Sequence, residues 1–321
     1  MARSRRADRV VPLGAGELPA ALRLLLAIPG SAGGATEIQV RGFLDYLATG
    51  AVQWEGYRCG PANAPRALFL ALLTPGRTAI ALLPSPGEHG IDPDAQHYLG
   101  RAALRRLQKR ELHFVQALLV PEARAQHELL KQLGFRFLAP LIYMERDTHY
   151  PWVDPPSLHP GAWVPFRPQT YQDFAATLLA TYQDSLDCPE LSSLRPIDDI
   201  IAGHKASGQH DPDLWELLRL DGRNAGCLLL SRLPAARAME LVYMGVVPSF
   251  RHRGAGALLI QRALERSRQC GARRLTLAAD QRNQPARRLY ARFSFLPVDR
   301  RDAYLYRWST GDVSRSPTAV P

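Results

Sequence analysis

From Trp163 onward the apolar residues switch repeatedly between a period of two and a period near 3.6, the signatures of strand and helix. The spacing predicts a short strand at Trp163–Arg167 and a helix at Gln169–Tyr182, with Phe174, Leu178 and Tyr182 on one face. A second short helix is predicted at Ile197–Ser207. Three strands follow at Leu214–Leu220, Ala225–Leu230 and Met239–Val247, the first two joined by the turn Asp221-Gly222-Arg223-Asn224. After Gly256 a helix runs to about Cys270 on a stripe of Leu258, Leu259, Ala263 and Leu264, and Gly271 stops it. A strand at Leu275–Ala279, a helix at Pro285–Phe293 and a strand at Ala303–Trp308 complete the series. This order describes a mixed sheet with helices on its faces.

The first half repeats the series in weaker form. Val10 and Val11 lead into helices at Glu17–Ile28 and Thr36–Thr49, then strands at Val52–Tyr57, Ala67–Leu73 and Thr78–Leu83. A helix at Gln96–Arg110, a strand at His113–Leu119, a helix at Glu122–Leu133 and a strand at Leu141–Glu145 follow. The stretch from Leu130 to Phe135 mirrors that from Leu289 to Phe295, which points to an internal duplication. The Pro-rich segment from Tyr150 to Gly161 can continue neither a helix nor a central strand. The expected organisation is therefore a first domain over 1–150, a linker over 151–161 and a second domain over 162–310. A tail over 311–321 without apolar period is expected to be disordered.

A length of 321 residues suits two domains. No apolar run approaches the ~20 residues that span a bilayer, and an integral membrane protein is not expected. Ser4-Arg5-Arg6 ahead of Leu22–Ile28 faintly resembles a secretion signal, but Asp8, Arg9 and Arg23 interrupt it. An amphipathic first helix and a cytoplasmic location are the expectation. The four cysteines form no CxxC pair, so no disulfide framework and no metal site is expected. The net charge of +10 is almost all arginine, with only Lys109, Lys131 and Lys205 as lysines. That skew fits coding in a GC-rich, bacterial genome. Without interleaved aromatic residues it argues little for nucleic acid.

The chemistry is concentrated in the strand, turn and helix start from Met239 to Leu259, which contains Arg251-His252-Arg253-Gly254-Ala255-Gly256. Amide N–H groups at a helix start lack intrahelical partners and can converge on one anion. Glycines there let a phosphate approach, and Arg251 and Arg253 add positive charge. A dinucleotide fingerprint is disfavoured because Leu259 holds the third glycine position, and no Gly-Lys-Ser/Thr follows for a Walker loop.

This segment resembles the acetyl-CoA motif of the GNAT superfamily of N-acetyltransferases, Gln/Arg-x-x-Gly-x-Gly/Ala after a strand ending in Val-x-Pro. A second family block appears from Asn283 to Phe295, with Ser294-Phe295 where members usually carry Gly-Phe. The resemblance covers the second half and implies two tandem GNAT-like domains of α/β class, each a mixed central sheet flanked by helices, an arrangement that occurs in the family. It also implies acetyl-CoA as acyl donor and an amine, small molecule or peptide, as acceptor. The N–H near Met244 would face the thioester carbonyl and that of Val246 the pantetheine. Residues His252, Arg253, Gly254, Ala255, Gly256 and Ala257 would hold the pyrophosphate, and Asn283 the cofactor arm. Tyr290 would protonate the departing thiolate; the plainer reading is an aromatic that packs the last helix. Glu240, at the offset where histone-acetylating members carry a base, would take the amine's proton, or is an edge glutamate facing solvent. Asp184, Asp187 and Glu190 fall where members build the acceptor site; they could attract a cationic amine, but the preferred reading is a solvated loop. The first half lacks the motif: acidic residues and prolines fill Pro84–Pro93, and Leu130 stands where Tyr290 would. A non-catalytic acyl-CoA sensor is the alternative for the whole chain.

Overall fold

The computed structural model describes residues 9–30, 33–151 and 161–308, so the expected tail and nearly all of the expected linker lie outside the described residues. It divides into two compact units, one built from the chain up to Phe137 with the chain from Ala303 onward, the other from Leu138–Asp302. This differs from a cut at 150–162, because the second unit includes residues 138–147 and the first includes the end of the last strand, from Ala303.

The first unit holds β1 (Val11–Pro12), α1 (Leu18–Leu25), α2 (Glu37–Ala48), β2 (Gln53–Cys59), β3 (Ala67–Thr74), β4 (Thr78–Leu82), α3 (Pro93–Leu107), β5 (Phe114–Leu119) and α4 (Arg124–Gln132). Strands β1 to β4 are antiparallel neighbours, and β4 runs parallel to β5. Strand β3 is buried on both faces: Ala67, Phe69 and Ala71 join the core with α3 and α4, while Leu68, Leu70 and Leu72 pack on α1 and α2. The last described residues are part of this unit. Tyr304 is buried against the same core, its hydroxyl 2.9 Å from His127 Nδ1, and Trp308 Nε1 donates to Leu104 O at 3.1 Å.

The second unit starts within β6 (Arg136–Asp147). It continues through β7 (Ala162–Pro165), α5 (Tyr171–Tyr182), α6 (Ile197–Lys205), β8 (Gln209–Leu220), β9 (Arg223–Leu233), β10 (Ala238–Val246), α7 (Ala255–Gln269), β11 (Arg274–Asp280), α8 (Gln284–Arg292) and most of β12 (Leu296–Tyr306). Strands β7 to β10 are antiparallel, β10 and β11 parallel, and β11 and β6 antiparallel. Alternation sends Leu228 and Leu230 into the core under α7 and α8, and Cys227 and Leu229 into the core under α5 and α6. Helices and strands fall close to their predicted places. The ends differ most at β6 and β12, which both extend well beyond their apolar runs through charged and polar residues.

Matching helix ends relate the two units. Phe135 N donates to Leu130 O at 2.9 Å across Gly134, whose φ is +90°. Phe295 N donates to Tyr290 O at 3.0 Å across Ser294, whose φ is +60°. Both are six-to-one closures of a helix C-terminus through a left-handed residue. The cap thereby aligns Leu130 with Tyr290, and serine takes a conformation that glycine adopts at less cost.

Candidate functional site

The site of the second unit arises where two parallel strands part. The β10–β11 pairing covers only Ala238–Leu241 against Arg274–Leu277. The β10–β9 pairing continues to Val246, with an irregularity between Leu241 and Tyr243. One extra residue in β10 bends the strand away from β11. Beyond Leu241 one edge of β10 is therefore free of β11. Val247 N donates to Ala225 O on β9 at 2.9 Å. Strand alternation then turns the N–H groups of Val246 and Met244 toward the gap.

A cleft of about 390 Å³ occupies this gap. Its walls are the end of β10 (Tyr243, Met244, Gly245, Val246), the end of α5 with the following loop (Thr181, Asp184, Ser185, Leu186, Asp187), Arg251, His252 and Gly256 at the start of α7, and Asn283, Pro285, Ala286, Leu289 and Tyr290 on α8. Of the residues expected at the site, Met244, Val246, Arg251, His252, Gly256, Asn283 and Tyr290 thus meet around one space. Ala255 and Ala257 turn their methyl groups into the core, 1% and 5% exposed, so only their backbone is available to a ligand.

The start of α7 suits an anion. Its cap is Gly254, at φ +84° and without a side chain to occupy the free N–H groups, and no acidic residue stands in the first turn. The partial positive charge of the helix end is therefore uncompensated. Gly256 serves packing as well. A Cβ there would lie 3.1 Å from Leu289 Cδ2, so the glycine lets α7 approach α8.

Arg251 works differently from a phosphate ligand. Its guanidinium donates to Val246 O (3.0 Å), Thr181 O (3.1 Å), Gln183 O (2.6 Å) and Asp184 O (3.1 Å). It therefore ties the end of α5 and its loop to the end of β10, satisfying carbonyls that a helix C-terminus leaves unpaired.

Asn283 is likewise committed at both ends. Its Oδ1 accepts from Ala286 N at 3.2 Å and caps α8, which leaves its NH₂ to bond Asp187. Asp187 Oδ1 also accepts from Asp280 N at 2.8 Å. Asp280, fully buried, accepts from Arg282 and from Cys188 N, and Arg282 reaches Glu190 at 3.4 Å. The loop after α5 is thus fastened along its length and is not a free solvated loop. Asp187 is exposed in the cleft wall, yet crowding by protein and then the Asp280 charge push its carboxyl above the usual range against opposing hydrogen bonds. Asp280 stays below that range, since Arg282 and two backbone N–H groups outweigh its burial.

Tyr290 is 7% exposed, and burial first, then the Asp187 charge, raise its phenol far above the usual range. Glu240 lies outside the cleft lining. It sits on the sheet face covered by α5 and α6, opposite Ser231 and Thr276, and accepts from Ser207 Oγ at 3.2 Å. The strand is paired on both sides here, so Glu240 does not stand at a sheet edge; its side chain is half-buried, and burial raises its carboxyl.

Sequence reasoning missed an aromatic and hydroxyl group beneath the cleft. Tyr243 OH lies 2.9 Å from Thr181 Oγ1, which donates to Leu178 O at 2.7 Å, so Tyr243 is the donor of that pair. His204 Nε2 lies 3.3 Å from Tyr182 OH, and burial pushes its pKa down to about 4. Helical spacing shows Tyr182 as a core residue, and nothing in the chain order announces that His204 faces it. Among the described residues no His, Cys, Asp and Glu group could hold a metal ion, and no helix is long and apolar enough to cross a membrane.

Comparison with known proteins places these features. Residues 178–295 match the model of the acetyltransferase (GNAT) family. A mycothiol acetyltransferase of Beutenbergia cavernae is 38% identical over 91 residues, 27% of this chain and 30% of that protein, so the match spans under a third of the relative's length. A GCN5-related N-acetyltransferase from Sphaerobacter thermophilus shares the fold over 94% of this chain and 96% of its own, at 19% identity and a TM-score of 0.65. A tandem GNAT protein from the clavulanic acid biosynthesis pathway does so over 95% and 99%, at 17% identity and a TM-score of 0.54. The family match thus covers the cleft-bearing segment, 178–295, and the fold of GNAT proteins, a tandem one among them, is shared along both units.

Proposed function

We propose that the second unit transfers an acetyl group from acetyl-CoA to a primary amine by direct attack, both substrates being bound together. The observation that carries this reading is the continuity of the cleft: the open edge of β10 leads directly to the uncapped start of α7. An extended pantetheine arm can pair with that edge and deliver its diphosphate to the helix end. Acetyl-CoA would supply an acyl carbon activated as a thioester.

The chain's own residues supply the rest. The N–H of Met244 faces the gap and would hold the carbonyl oxygen as charge develops on it. The N–H of Val246, one strand repeat further on, would bond the arm. His252 and the first N–H groups of α7 would hold phosphate. Tyr290 would give its proton to the sulfur. Glu240, raised by burial and bonded to Ser207, would draw the first proton from the ammonium, through water since it stands outside the cleft lining.

The first unit has no such site in this reading. Where β4 leaves β5 after Ile80, Gln126 Nε2 donates to Leu83 O at 2.7 Å and closes the gap from within. The start of α3 is capped by Asp92, which accepts from Ala95 N at 2.9 Å, and Pro93 follows. A carboxylate therefore stands where a phosphate would bind.

Thiol release from acetyl-CoA, screened across primary amines and peptides, tests the proposal. Tyr290→Phe should keep acetyl-CoA affinity while turnover falls about 10²–10⁴-fold. Glu240→Gln should lose turnover near neutrality and recover it as pH rises and the amine arrives deprotonated. Tight acetyl-CoA binding by the wild type with no thiol release from any amine would favour the sensor.

A further inference from the structure

An ammonium acceptor must shed two protons to become an amide nitrogen, and Glu240 accounts for one. We infer that Asp187 takes the second proton as the C–N bond forms and returns it to Tyr290, a deepening that rests on the reading above. Asp184 and Asp187 are the carboxylates in the cleft wall. Asp184 carries a left-handed backbone, and its carbonyl is held by Arg251 at the phosphate end. Asp187 instead stands at the start of α8, the helix that carries Tyr290, and lines the same cleft as Tyr290 and Tyr243.

The hydrogen bonds on Asp187 come from neutral donors, the Asp280 N–H and the Asn283 amide. Arg282, the cation of this corner, is turned onto Asp280 and Glu190. The ionisable groups that bear on Asp187 are Asp280 and Arg282 before α8, Cys188 on its own loop, Tyr182 on α5, Tyr243 on β10 and Tyr290 on α8. All but Arg282 are carboxylic acids, phenols or, at Cys188, a thiol. Such a carboxylate is poised to accept a proton from a substrate nitrogen, and Asp280 with Asn283 fixes where it points.

The step balances. The amine lone pair forms the C–N bond, and one N–H proton passes to Asp187. The C–S bond breaks, and its electron pair leaves with sulfur, which takes the proton of Tyr290. The proton on Asp187 then returns to the Tyr290 phenolate, restoring both groups.

The test uses the intact chain, acetyl-CoA and an amine found active in the screen. Asp187→Asn should keep acetyl-CoA affinity by calorimetry within a few-fold and lower turnover about 10²-fold or more. Unlike Glu240→Gln, it should gain nothing from raised pH, since the second proton leaves only during attack. Asp187→Asn combined with Tyr290→Phe should be little slower than the worse single variant, as for two residues on one path. A defect rescued by pH, multiplicative losses in the double variant, near-normal turnover or loss of acetyl-CoA binding would each overturn the assignment. A wild type that releases no thiol with any amine would instead remove the transferase reading itself.

Discussion

At the scale of residues, the chain order shows which groups are chemically suited to a site, and contacts then decide what they do. Tyr290 and Asn283 were legible because both lie in one helical block with its own spacing. Arg251 was legible as a charge, but its partners are carbonyls of Thr181, Gln183 and Asp184, about seventy positions away, which no local pattern reveals. Asp187 reads from chain order as a solvated-loop residue for the same reason. His204 shows how a missed contact becomes measurable. Burial, then the charge of Arg195, holds its pKa at about 4, below the ordinary 6.5. The folded state therefore prefers the neutral ring. The stability this confers is complete above about 6.5 and is lost as pH falls from there toward 4. Thermal unfolding across that window should show a loss of up to about 2–3 kcal/mol in the wild type. His204→Leu should flatten that part of the profile, and an unchanged slope would show that another group is responsible.

At the scale of elements, periodicity located nearly every helix and strand, because each buries one face or stripe against the sheet. It did not show the irregularity at Val242 that opens the cleft, since one added residue leaves the local composition unchanged. The same region depends on Gly245. A Cβ at that position would lie 2.5 Å from Thr181 Cβ, 2.6 Å from Thr181 Oγ1 and 2.7 Å from Tyr243 OH. The absent side chain is what allows α5 to close on β10 at the cleft. Gly245→Ala should therefore force the two apart, costing about 1–3 kcal/mol as overpacking does. Acetyl-CoA affinity should fall with it, because Thr181, Tyr243 and Gly245 all line the cleft. Denaturant unfolding and calorimetry read the two effects. Unaltered stability would mean that the contact yields without cost.

At the scale of the whole molecule, the duplication could be read from the repeated order of elements, and the matching caps at Leu130 and Tyr290 support it. The allocation of strands could not. The Pro-rich stretch after Tyr150 looks like the boundary, yet the strand before it pairs with β11, and the end of the last strand packs with Leu104 and His127. Only long-range pairing decides such an exchange. Its consequence is practical: a chain cut near residue 150 strips a strand from the second unit and the end of a strand from the first, so binding is best measured on the intact protein. The central claim is that the second unit alone binds acetyl-CoA, along the open edge of β10. Calorimetry of acetyl-CoA into the wild type and into His252→Glu tests it most directly. His252 lines the cleft from an exposed position, so the added charge repels phosphate without entering the core. The expected result is one equivalent bound by the wild type and an affinity at least about tenfold lower in the variant, which is ~1.4 kcal/mol. Two equivalents, or one equivalent unmoved by His252→Glu, would contradict it.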